Sequence, residues 1–65
     1  MKVWLDIPKG RDAEDVRKRV ESLVSSGVGI HTITSTQVEV GISKGDPEIV
    51  LPKLRRAGVQ ISQGL

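Results

Sequence analysis

The apolar residues of this chain change their spacing four times, and the order of those changes constrains the fold more than any other feature. Over residues 2–7, Val3, Leu5 and Ile7 alternate with Lys2, Trp4 and Asp6, the period of two expected of a strand with one buried face. Over residues 13–26 the period lengthens to that of a helix. Ala13, Val16, Val20, Leu23 and Val24 share one stripe, and Arg17, Lys18, Arg19 and Glu21 turn to water. Residues 28–34 and 37–42 return to strand spacing. A second helix then carries Val50, Leu51, Leu54 and Ala57 on its apolar side, and residues 59–62 close with Val59 and Ile61 inward. Strand, helix, strand, strand, helix, strand is two split βαβ units. They predict an α+β sandwich of four antiparallel strands with two helices on one face. Right-handed crossovers put the first and third strands in the centre and the second and fourth at the edges.

Local signals agree with the spacing. Pro8-Lys9-Gly10 ends the first strand, and Asp12 is a good N-cap with Glu14 and Asp15 behind it to complement the helix dipole. Gly27 sits where a left-handed C-cap residue belongs. Ser35-Thr36 and Ser43-Lys44-Gly45 are turns. Asp46-Pro47-Glu48 opens the second helix, Arg55 and Arg56 fill its last turn, and Gly58 stops it. Pro52 falls past the first turn, where it removes an amide bond, so a kinked or late-starting helix is expected. In the third strand Val38, Val40 and Ile42 point inward. The second strand buries either Val28, Ile30 and Thr32 or His31 and Ile33, and a bulge would reconcile both sets. The tail Gln63-Gly64-Leu65 is expected to fray.

With 65 residues, positions 1–65 form one domain that buries only about 60% of its unfolded surface. Trp4 is the sole aromatic, so the core is aliphatic. The absence of cysteine removes disulfide staples and fits a cytoplasmic setting. Ten basic and eight acidic residues leave a net charge of +2, too little to indicate nucleic acid. No stretch approaches the ~20 apolar residues of a membrane span, and Asp6 interrupts the apolar start that a signal peptide would need.

Several motifs line up with one family. Gly10-Arg11-Asp12-Ala13-Glu14-Asp15-Val16 stands where a GMxCxxC loop would be. Val20-Glu21 with Val24 follows, then Gly27-Val28, and Asp46-Pro47-Glu48 runs through Leu54 to Ala57-Gly58. The chain thus resembles a heavy-metal-associated, ferredoxin-like domain over nearly its whole length. Ring-building domains of bacterial secretion systems share a similar but less closely matching βαββα layout. The resemblance implies the ferredoxin-like sandwich, and it also locates the departure. Ala13 and Val16 occupy the places of the two metal ligands, Arg11 replaces the methionine, and neither Ala nor Val donates electrons to a soft metal. No metal and no cofactor is expected.

Nothing points to catalysis. His31 is the only histidine, and none of Ser22, Ser25, Ser35 or Ser43 sits in a nucleophile context. Asp12, Glu14 and Asp15 read as helix-start acids, and they oppose an anion at the Lys9-Gly10-Arg11 loop. Trp4 has the best claim to function, because alternation puts it on the helix-free sheet face. There it either packs across the stems of Glu39 or Gln60 or acts as a contact residue, with Trp4, Asp6, Glu39 and Gln60 as candidate partner-binding residues. A weaker candidate is the helix-borne basic patch of Arg17, Lys18, Arg55 and Arg56. The expected function is a non-catalytic protein-interaction or assembly module, using the open face or the edge strands for a protein partner or self-association. The alternatives are a small nucleic-acid binder using the helix-borne arginines and lysines, which the net charge does not by itself indicate, and a designed or minimised fold with no biological partner.

Overall fold

Helix α1 (Ala13–Val24) begins at a reciprocal cap. The Asp15 amide donates to Asp12 Oδ1 at 2.9 Å, and the Asp12 amide donates to Asp15 Oδ2 at 3.3 Å, so two orphan donors are satisfied. The helix ends with its last apolar-stripe residue, Val24, two residues short of the expected span 13–26. Ser25, not Gly27, takes the left-handed position (φ 53°), and its amide donates to Glu21 O at 3.0 Å. Gly27 instead lies in the turn into the next strand, where its carbonyl accepts from the Ser43 amide at 2.9 Å. Helix α2 (Pro47–Arg56) starts as expected: Asp46 Oδ1 accepts from the Glu48 amide at 3.0 Å and Pro47 needs no donor. The helix does not start late, and Pro52 lies inside its continuous span. Gly58, at φ +84°, turns the chain out of it.

The structure, a computed structural model, describes residues 1–63, and side chains as far as Ser62. Its strands are β1 (Lys2–Asp6), β2 (Val28–Ile33), β3 (Gln37–Ile42) and β4 (Ile61–Gln63). They form one antiparallel sheet in the order β2-β3-β1-β4, with the predicted centre and edges. β4 starts later than its alternation suggests. Val59 is buried as expected, but its amide is held by Leu54 O at 3.0 Å in the turn. Gln63 belongs to the sheet opposite Trp4 and is not part of a tail; residues 64–65 lie outside the described residues.

Val3, Leu5, Val38, Val40 and Ile42 from the sheet, Ala13, Val16 and Val20 from α1, and Val50 and Leu54 from α2 share one buried cluster. Both helices therefore cover the same sheet face, and the architecture is the ferredoxin-like α+β sandwich. β2 resolves its ambiguity with a bulge. Ile30 pairs with Val40 and Thr32 with Glu39, which leaves His31 as the extra residue. Before the bulge Val28 is buried. After it Ile33 pairs with Val38 on the helix side, yet stays 57% exposed beyond the helices' reach.

Candidate functional site

The helix-free face is built in rows that the register fixes. Lys2 pairs with Gly41 and Gly41 with Gly29. Trp4 pairs with Glu39 and Glu39 with Thr32, while Asp6 pairs with Gln37. Their strand neighbours Val3, Leu5, Val38 and Val40 are buried, so these residues point away from the core. The sheet also brings in two sequence candidates at the β4 side: the Asp6 amide donates to Gln60 O at 3.0 Å, and Gln60 is exposed. Trp4 and Glu39 are thus paired, with Asp6 two residues along the strand from Trp4, whereas Gln60 joins only through its backbone at Asp6, and Trp4 is opposite Gln63 on the β4 side. Trp4 is half-buried, as are Asp6, Gln37 and Glu39.

Three features of this face were not legible as parts of a site. Gly29 and Gly41 form a low shelf, because a Cβ built on either meets nothing within 4 Å. Their backbones are not left-handed, so neither crowding nor conformation demands glycine there. The bulge brings His31 over Glu39, with Nδ1 2.8 Å from Glu39 Oε1 and 3.0 Å from Thr32 Oγ1. Thr32 Oγ1 also donates to Glu39 Oε1 at 3.3 Å, and the Glu39 side chain is only 17% exposed. Lys2, outside the candidate set, shares the face of Trp4, as strand alternation requires.

The His31 geometry lacks a nucleophile. Both of its contacts fall on Nδ1, so the carboxylate selects the Nδ1–H tautomer. Nε2 has no hydrogen-bond partner among the described residues. A triad needs the hydroxyl on the nitrogen opposite the acid. Here Thr32 and Glu39 share one nitrogen.

The basic patch is divided by its own ion pairs. Arg17 reaches Glu14 Oε1 through Nε at 2.8 Å and Nη2 at 2.6 Å, and its Nη1 reaches Glu21 Oε2 at 3.1 Å and Val28 O at 3.2 Å. The Arg17 hydrogen bond holds the Glu14 carboxyl below its ordinary range. Arg17 is therefore a strut between α1 and β2, while Lys18, Arg55 and Arg56 are exposed. Arg19, also exposed, ties α1 to the end of α2 by donating from Nη2 to Ala57 O. Where the family resemblance would put metal ligands, Ala13 and Val16 are buried. A cleft of about 440 Å³ beside them is walled by Ile7, Pro8, Val16 and Val59, with Lys9 and Arg19 also lining it. Among the described residues no group of three His, Asp or Glu side chains is placed to hold a metal ion. No helix among them is long and apolar enough to cross a membrane.

No family model matches the chain, and neither a curated protein nor a solved structure matches it.

Proposed function

We propose that this chain is a non-catalytic protein-interaction or assembly module, working in the cytoplasm, whose docking surface is the open sheet face around Trp4. Its scaffold is similar to that of small metal carriers, with alanine and valine at the two ligand places. The observation that carries this reading is the position of the chain's only aromatic residue. Trp4 stands at mid-strand on a central strand, on the face without helices, beside a glycine shelf. A tryptophan contributes a large apolar area with few rotatable bonds, which makes it a common energetic centre of interfaces. Aliphatic residues alone fill the core, so Trp4 is not needed there.

The test is capture of binding proteins by the immobilised chain, compared across variants and quantified by titration with whichever protein is retained. Trp4→Ala should weaken binding by about 30-fold, as for a hot spot near 2 kcal/mol. Charge reversals on the helices, Lys18→Glu and Arg56→Glu, should leave binding within about twofold, as expected of charges outside an interface. The opposite ranking would assign the function to the helix face.

A further inference from the structure

We propose that the open face docks onto a second copy of this chain about a two-fold axis through Trp4, with the two β1 strands crossing antiparallel. This inference rests on the open face being the docking surface and adds what occupies it. Along β1 the face reads Lys2, Trp4, Asp6: positive, aromatic, negative, at equal steps of two residues. A two-fold interface brings each patch against its own copy, so only a pattern that complements itself after rotation will dock. Rotation about an axis lying across the strands at Trp4 reverses β1. Lys2 then faces the partner's Asp6, Asp6 faces the partner's Lys2, and the two Trp4 rings meet at the axis. An axis along the strand would instead oppose Lys2 to Lys2 and Asp6 to Asp6, which costs free energy.

Height complements itself in the same operation. The rotation lays the Lys2–Gly41 row over the partner's Asp6–Gln37 row. The open space above Gly41 then receives the long Gln37 side chain. Gly41, which the backbone does not require to be glycine, has a purpose in this arrangement. Glu39 lies in the same row as Trp4 and so meets its own copy, the one unfavourable element of the face. His31 Nδ1–H and the Thr32 hydroxyl hold that carboxylate toward β2 and leave it 17% exposed, so the like charges are sheltered from each other.

The predicted dimer is weak. Five residues at ~3.3 Å and four strands at ~4.8 Å give a face of only about 300 Å² in projection. That is below the ~800 Å² per partner of stable complexes, so dissociation constants on the order of 100 µM are expected.

The experiment is sedimentation velocity with the full chain from about 10 µM to 1 mM, a range chosen to span that weak affinity. It uses wild type, Lys2→Asp and Asp6→Lys, each alone and mixed in equal amounts, with circular dichroism to confirm folding. Wild type should dimerise, and each variant alone should lose about tenfold or more in affinity, because it sets like charges face to face. The mixture should recover dimers to within a few-fold of wild type, since one variant presents two acids and the other two bases. Asp6→Asn, which removes attraction without adding repulsion, should give an intermediate loss and serves if Asp6→Lys misfolds. A wild type that stays monomeric at 1 mM would overturn the proposal, as would a mixture no better than its components. If wild type is monomeric but Trp4→Ala still weakens capture of another protein, self-docking fails while the interaction reading stands. If Trp4→Ala alters neither, both fail.

Discussion

Adjacent residues of β1 should respond very unequally to truncation, and the comparison of Leu5→Ala with Trp4→Ala tests the sheet's facing. Leu5 is 0% exposed and pairs with Val38 on one side and Ile61 on the other. Removing three buried carbons at ~0.8 kcal/mol each forfeits about 2.4 kcal/mol of transfer free energy. A cavity contribution adds to this, because the valine-rich surroundings are stiff at χ1 and collapse poorly into the gap. The expected cost is about 3–4 kcal/mol. A chain of this size has a stability of only about 3–5 kcal/mol, so Leu5→Ala should leave a substantial unfolded population in buffer. Trp4→Ala, on the helix-free face, should cost about 1 kcal/mol or less. Urea titration followed by far-UV circular dichroism measures both, since Trp4 is lost in one variant and cannot be the probe. A Trp4→Ala cost exceeding that of Leu5→Ala would mean that the assigned facing of β1 is wrong.

Ser25 holds a left-handed φ of 53° at the end of α1, so Ser25→Gly should stabilise by about 0.5–1 kcal/mol, read as a higher urea midpoint. Pro52 removes an amide donor inside α2, and Pro52→Ala should stabilise by about 1–3 kcal/mol, also read from the urea midpoint; a loss would mean that the ring's packing outweighs the restored bond. The Glu14 carboxyl is held below its ordinary range by Arg17. Its contribution to stability is thus present above the unfolded pKa of about 4.3 and is lost as pH falls through the lower folded value. Glu14→Gln should therefore be less stable than wild type at pH 7, with the difference shrinking below about pH 4 and in high salt; a difference unchanged at pH 3 would refute the linkage.

Much of the fold was legible because each element carries its own local signal. Asp12 and Asp46-Pro47 mark helix starts through groups that only a first turn needs, and the Val38, Val40, Ile42 alternation fixes the facing of β3. Where two signals competed, tertiary structure decided. Gly27 is the better left-handed residue, yet Ser25 takes that place and Gly27 is positioned by its contact with Ser43. A bulge depends on which residues a partner strand offers, so the extra residue at His31 cannot be read from β2 alone. The same holds for the site. Alternation put Trp4 and Asp6 on the open face with Glu39 as a neighbour of Trp4, but only register could choose Glu39 over Gln60, set Asp6 beside Gln37, uncover the Gly29–Gly41 shelf and bring His31 over Glu39. Within the candidate basic patch Arg17 is paired with Glu14 and Glu21, partners three and four residues away on its own helix, while Lys18, Arg55 and Arg56 are exposed.

The claim that the open sheet face is the association surface is tested most directly by amide chemical-shift mapping during association. This means dilution of the concentrated chain, or titration with a captured partner if one is found. Shifts should concentrate at Lys2, Trp4 and its indole N–H, Asp6, Gln37, Glu39 and Gly41, with α1 and α2 quiet. Shifts centred on Lys18, Arg55 and Arg56, with the Trp4 indole unmoved, would contradict the claim.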